Sequence, residues 1–175
     1  MIGSIAIEAR PMLPITPGTA SDFTNLAPFV AAATKDAFSH PNLTPEQIAE
    51  NTRIVAIAEL VALDALDHPD RAVFVAKDDS GALAGFVIVK RDDKALPEID
   101  WLIVAPAHQG KGVAGALMEH ALAWIGDGVP VQLGVIHFNA RAIAFYKKHG
   151  FEDTGRIVGR HKIPRRLMIR AANPN

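Results

Sequence analysis

The sequence predicts one α/β (α+β) domain over residues 1–175, with residues 1–10 as a loose extension. Three observations predict it. Segments with strand-like and helix-like periodicity alternate along the chain, and no repeat, linker or low-complexity tract divides them. The composition, 49% hydrophobic and 21% charged over 175 residues, suits a single core of ordinary size.

The elements follow in order. Residues 12–16 read as a strand and 21–38 as a helix with Ala, Leu, Phe and Val at helical spacing. Thr44-Pro45-Glu46-Gln47 supplies a hydroxyl N-cap, proline at the first helical position and a capping-box glutamine, so a second helix starts there and runs to about Leu66. Residues 71–77 and 83–90 are β-rich runs joined by Asp78-Asp79-Ser80-Gly81-Ala82, a hairpin, and Asp92, Asp93 and Lys94 mark the next turn. In residues 98–104, Glu98, Asp100, Leu102 and Val104 alternate with Ile99, Trp101 and Ile103, as in a central strand beside a polar cleft. Residues 109–125 carry Val113, Ala114, Leu117, Met118, Ala121, Leu122 and Ile125 on one wide helical stripe. A strand over 131–136 follows. Asn139 then caps a helix that ends at Lys147-Lys148-His149-Gly150, where cations meet the negative helix end and glycine turns the chain. Strands over 151–158 and 167–171 close the sequence.

Charge and composition narrow the function. Lys plus Arg is 18 against 19 Asp plus Glu, so there is no global attraction for nucleic acid or anionic membranes. The absence of cysteine removes disulfides, zinc-thiolate sites, iron-sulfur clusters and a Cys nucleophile together. Seven histidines without paired spacing, and four serines without a G-x-S-x-G elbow, suggest neither a metal centre nor an acyl-enzyme. The start lacks a basic segment ahead of its short apolar run, and Glu59 and Asp64 interrupt the most apolar internal stretch, so a soluble, cytoplasmic protein without a membrane partner is expected.

The segment 104–114, with Gln109, Gly110, Lys111 and Gly112, joins a buried strand to a long helix through a glycine-rich turn. Glycine lets the backbone approach closely, and unpaired helix N–H groups with the helix dipole make an anion site suited to a diphosphate. A plain tight turn is the alternative. Residues 110–115 also match G-x-G-x-x-G, but five residues intervene after the strand and the next strand ends Val135-Ile136-His137, without the acid a dinucleotide fold needs. A Walker loop is excluded because Gly112 follows Lys111.

These residues resemble the CoA loop of the GNAT superfamily of acyl-CoA-dependent N-acetyltransferases, Gln/Arg-x-x-Gly-x-Gly/Ala after the fourth strand, filled here by Gln109, Gly112 and Ala114. Residues 139–151, an Asn, a short helix, Phe145-Tyr146, a basic pair and Gly150-Phe151, resemble that family's second motif. The likeness is close over residues 98–151, reaches the hairpin at 71–90 in outline, and leaves residues 1–66 matched only as a strand and two helices. It implies a mixed, mostly antiparallel central sheet flanked by about four helices. It further implies that amides of Gln109, Gly110, Lys111, Gly112, Val113 and Ala114 hold the pyrophosphate of acetyl-CoA. The backbone of Leu102, Ile103 and Val104 would pair with the pantetheine, and no metal would be needed.

Acyl transfer needs a neutral amine, and a lysine-like amine with pKa near ~10.4 is almost wholly protonated at pH 7. Glu98 and Asp100 lie on one strand roughly 7 Å apart, each disfavouring ionisation of the other. Glu98 matches the place where some GNAT enzymes keep a glutamate base. The bland alternative is a pair of solvated carboxylates that attract a cation. Tyr146 falls on the family tyrosine often assigned to protonate the departing thiol, and its alternative is an amphipathic core ring. Asn139 either touches the pantetheine, as the family implies, or serves only as a helix cap. His108 and His137 end the two central strands, where each either meets a ligand or hydrogen-bonds within its loop.

Residues 46–100 hold 12 acids against 6 bases, which steers an amine there. Residues 151–175 reverse the balance with Arg156, Arg160, Lys162, Arg165, Arg166 and Arg170, either for the 3′-phosphate, for an acidic partner, or as a solvated strand edge. The expectation is an N-acetyltransferase that moves an acetyl group from acetyl-CoA to a primary amine by direct attack in a ternary complex. The acceptor is a small molecule or peptide, and a homodimer is compatible with the sequence. The competing expectation is a GNAT-like module that senses acyl-CoA without turnover.

Overall fold

The computed structural model describes residues 12–173. Its elements are β1 (Ile15–Pro17), α1 (Leu26–Thr34), α2 (Pro45–Ala56), α3 (Ala58–Asp67), β2 (Arg71–Lys77), β3 (Leu83–Lys90), β4 (Glu98–Val104), α4 (Val113–Ile125), β5 (Val131–Ile136), α5 (Ala140–Lys148), β6 (Phe151–Val158) and β7 (Arg165–Arg170). The strands form one seven-stranded sheet in the order β1-β2-β3-β4-β5-β7-β6. Every neighbouring pair is antiparallel except β4 with β5, so the expected mixed, mostly antiparallel sheet is present. The loose extension expected over residues 1–10 lies outside the described residues.

The described residues form five α-helices, in keeping with the expected count of about four, the extra one arising because the helix expected from Thr44 to Leu66 is two. Its start holds: Thr44 Oγ1 accepts from the Gln47 N–H at 3.2 Å, and Gln47 Oε1 accepts from the Thr44 N–H at 3.0 Å. At Ile57 the backbone leaves the helical region (φ −98°, ψ 7°), so α3 restarts in a new direction. The helix expected over 21–38 is likewise divided, into a 3-10 turn at Ala20–Phe23 and α1. Asn25 sits between them in the left-handed region (φ 57°, ψ 45°), and its N–H donates to Glu59 Oε2 at 2.9 Å. Asparagine tolerates that conformation better than most residues, so a propensity reading passes over the break.

The sheet is covered on both faces, which explains why β2 and β3 are near-continuous apolar runs. Val73, Val75, Phe86 and Ile88 pack with Phe23, Leu26 and Val30 and with Ala58, Ala62 and Ala65 of α3. Phe74, Val87 and Val89 pack with Leu117, Met118 and Ala121 of α4.

Strand β4 departs from the expected strict alternation. Trp101 faces Ile88 and Ile99 faces Val89, so Asp100 is an inserted bulge residue without its own partner. Ile99 therefore joins Leu102 and Val104 on the α4 face, while Trp101 and Ile103 pack on the α1 and α3 face. One extra residue moves everything beyond it to the opposite face.

Gly85, opposite Val104, shows how tightly the inner wall of β4 is held. A Cβ there would lie 2.9 Å from the Ile103 carbonyl oxygen and 3.1 Å from Leu117 Cδ1. Backbone in mid-sheet cannot yield easily, so Gly85→Ala is expected to destabilise the fold by about 1–3 kcal/mol. The check is a urea midpoint that falls with little change in slope; an unchanged midpoint contradicts this packing.

Candidate active site

Strands β4 and β5 run parallel but share one register pair, Glu98 with Gln132. There the Gln132 N–H donates to Pro97 O at 2.9 Å and its side-chain Nε2 to Leu96 O at 3.3 Å. Beyond that point the strands diverge, and a cavity of about 760 Å³ opens between residues 102–104 and 134–136. The Ala105 N–H donates to Ala84 O at 2.8 Å, so alternation along the strand turns the amide groups of Ile103 toward β3 and those of Leu102 and Val104 into the cleft. Val104 O is then taken by Gln109 Nε2 at 3.0 Å. Leu102, Ile103 and Val104 all line the cavity, but Ile103 has its backbone engaged elsewhere.

The turn after β4 requires glycine where it has glycine. Gly110 and Gly112 have φ of 72° and 84°, in the left-handed region. The Ala116 N–H makes the first bond of α4, to Gly112 O at 3.0 Å, and no side chain caps this end. The N–H groups of Val113, Ala114 and Gly115 thus lack partners among the described residues, at the positive end of the helix dipole. Gln109, Gly110, Gly112, Ala114 and Gly115 border the cavity, whereas exposed Lys111 and core-facing Val113 turn their side chains off its wall.

Gln109 ties this turn to its surroundings. Its Nε2 also donates to Ala33 O at 3.2 Å, and its Oε1 accepts from Arg141 Nη1 at 3.4 Å. Arg141 brings a cation to the glycine-turn end of the cavity. Its sequence signal is an arginine in the first turn of a helix, where it opposes the dipole and needs another reason to be present.

From α5, Asn139 and Tyr146 reach the same cavity. Asn139 Oδ1 accepts from the Ala142 N–H at 3.1 Å, so it caps the helix while bordering the cleft. The Tyr146 ring packs edge-on against Phe145 and Phe151, at 5.4 and 6.0 Å between centroids. Burial pushes its hydroxyl up to about 12, so it keeps its proton across the physiological range.

The two carboxylates are placed differently. Asp100 lines the cavity and pairs with Lys90 Nζ at 2.6 Å. Glu98 lies behind the wall at the closed end of the cleft, paired in register with Gln132. Burial, reinforced by the nearby Asp100 charge, raises its pKa above the ordinary glutamate value, with Lys90 and Arg165 opposing. His108 borders the cavity with Nε2 3.8 Å from Asp78 Oδ2, while His137 is exposed and edge-on to Phe138 at 5.1 Å. No group of three or more His, Cys, Asp or Glu able to hold a metal occurs among the described residues, and no described helix is long and apolar enough to cross a membrane.

The sheet is thus split between two parallel strands, with helix amides unpaired among the described residues at the mouth of the split. A family model described as an acetyltransferase (GNAT) domain matches residues 69–153. An uncharacterized N-acetyltransferase of Mycobacterium tuberculosis is 36% identical over 132 residues, covering 72% of this chain and 81% of that protein. The peptidyl-lysine N-acetyltransferase YjaB of Salmonella typhimurium is 32% identical over 99 residues, 57% of this chain and 63% of that one. Among solved structures, PaiA N-acetyltransferase of Thermoplasma acidophilum in complex with coenzyme A superposes with a TM-score of 0.73 at 19% identity, covering 92% of this chain and 99% of that one. The chain belongs to the GNAT superfamily of acetyltransferases.

The glycine turn can be tested directly. An L-residue at φ 84° costs about 1–2 kcal/mol, so in Gly112→Ala the free turn relaxes to another shape, and coenzyme A, which must restore the original one, is expected to bind roughly tenfold more weakly in calorimetry. Gly128→Ala, in open space, serves as the control. Equal affinity in the two variants counts against the turn as the anion site.

Proposed function

We propose that this chain is an N-acetyltransferase that moves an acetyl group from acetyl-CoA to a primary amine by direct attack within a ternary complex. The single observation that carries this is the opening between β4 and β5, bordered at its mouth by α4 amides unpaired among the described residues and along its side by the backbone groups of Leu102 and the N–H of Val104. In this reading residues 1–175 form one catalytic unit acting in the cytoplasm. The amides of Gly110, Lys111, Gly112, Val113 and Ala114 meet the pyrophosphate, with Gln109 shaping the turn. Lys111 and Val113 contribute through their backbone alone. Asn139 holds the start of α5 against the pantetheine, and no metal takes part.

Acetyl-CoA, when bound, supplies an acetyl group on a thioester, and the remaining work belongs to the chain. The Glu98 carboxylate has its basicity raised by burial, which suits it to take the amine proton, directly or through a bridging water. Asp100 has its charge committed to Lys90, which leaves it a poorer proton acceptor than Glu98. Tyr146 keeps its proton and gives it to the departing sulfur. The name of the Salmonella relative specifies a peptidyl-lysine acceptor, itself an amine, which supports this class of acceptor. The chain has no cysteine, so any thiol released in an assay comes from the coenzyme.

Two outcomes are expected. The first concerns pH. As pH falls through the raised Glu98 pKa the base becomes protonated, so kcat/KM drops on an acid limb lying above the usual glutamate value of 4.5. Glu98→Gln should abolish that limb together with most of the activity; a wild-type pH profile in the variant removes Glu98 from the chemistry. The second concerns the acid. Tyr146→Phe should lower kcat by roughly 10- to 100-fold while leaving the acetyl-CoA dissociation constant within about twofold. Undiminished turnover assigns Tyr146 to packing alone.

A further inference from the structure

Arg165 opens β7 opposite Ile136 of β5. Its stem runs beside Gly134, where an added Cβ would lie 3.6 Å from its Cβ and 3.7 Å from its Cδ. Arg165 borders the main cavity and also a small adjoining hollow with Phe38, Glu50, Ile54 and His161. The loop leading into β7 is clamped to α2: the Lys162 N–H donates to Glu50 Oε2 at 2.7 Å, and Gln47 Nε2 donates to Lys162 O at 3.0 Å.

Several other cations around the sheet are matched to carboxylates, and Arg170, whose Nη1 is buried without a partner among the described residues, does not border the cavity. Lys90 holds Asp100 at 2.6 Å, Arg71 holds Asp64 and Asp92 at 2.6 and 2.7 Å, and the adjacent Arg166 holds Asp153 at 3.0 Å. Arg165 is different. Glu50, Glu98 and Asp100 act on it through space, but none bonds to it among the described residues, and burial works against its charge. A planar fork of five donors, half-buried on a cavity wall without an acceptor, is an incomplete recognition element. Its complement is a carboxylate, which the fork binds in two-pronged fashion.

We propose that the acceptor amine also carries a carboxylate, and that Arg165 grips it: the substrate class is a small apolar amino acid or a similar amino-carboxylate. This rests on the acetyl-transfer reading and deepens it. The two charged groups of such a molecule have separate partners: its amine goes to Glu98 on β4, the proposed base, and its carboxylate to Arg165 on β7. Val30, Phe38, Ile54, Val55 and Trp101 border the same cavity with apolar surface, which suits an apolar side chain. A lysine side chain on a folded protein brings no carboxylate to this place and would leave the guanidinium buried and unpaired, which disfavours it.

The test measures thiol release from acetyl-CoA by the full chain with matched acceptors: L-alanine, L-valine, L-leucine and L-phenylalanine, each against its amide and its decarboxylated amine. At least one free amino acid should exceed its amide and amine by about 10- to 100-fold in kcat/KM, the worth of one charge-assisted contact. Arg165→Gln should reduce that ratio to near one, and Arg165→Lys should keep part of it, since charge survives but the fork does not. Amides and amines used as well as the acids overturn the proposal, as does an unchanged ratio in Arg165→Gln. If no acceptor accelerates thiol release, the acetyl-transfer reading fails on its own. The carboxylate site is then decided by calorimetry of the same pairs on coenzyme A-saturated protein: tighter binding of the acid, lost in Arg165→Gln, sustains it, and equal or absent binding overturns it.

Discussion

Strands β4 and β5 hold each other at Glu98 and Gln132 and then part, and the rest of the molecule is organised around that separation. A parallel pair left open exposes main-chain donors and acceptors that would normally be satisfied, a costly arrangement unless water or a ligand takes their place. The bulge at Asp100 and the turn at Gly110 and Gly112 flank the opening, so β4 bends away from its neighbour without losing its pairing to β3. Two apolar layers keep the open sheet rigid, one beneath α4 and the other beneath α1 and α3.

Burial acts on two groups at this opening in the same direction. It raises the pKa of both Glu98 and Tyr146, because each loses water around its charged form. For the carboxylate this means greater basicity, and for the phenol it means a retained proton. In the proposed reading one physical cause thus suits Glu98 to take a proton and keeps a proton on Tyr146, at the cost of making the phenol a weaker acid. Lys90 limits the effect by neutralising Asp100, so the acidic wall does not suppress the ionisation of Glu98 altogether.

Much of this was legible from residue order, for reasons that differ from place to place. The glycine turn and the capped α5 helix announce themselves because positive φ and an unpaired helix end demand particular residues at particular spacings. The strands β2 and β3 are readable from their apolar runs. The bulge at Asp100 was not, since an inserted residue looks like any other until its partner strand is known, and the expected common face of Ile99, Trp101 and Ile103 dissolves with it. The breaks at Asn25 and Ile57 were hidden because both neighbourhoods have adequate helix propensity and the interruption comes from packing. Arg165 was counted in the basic C-terminal segment. Only the fold shows that it turns inward while Arg166 remains paired with Asp153.

The side-chain amide of Gln109 spans two walls at once, bonded to Val104 O on one side and Ala33 O on the other. Helix α1 is therefore moored to the coenzyme side by a latch worth on the order of 1 kcal/mol. Because the same amide nitrogen serves both carbonyls, a change of residue at Gln109 would loosen the end of β4 and the end of α1 together.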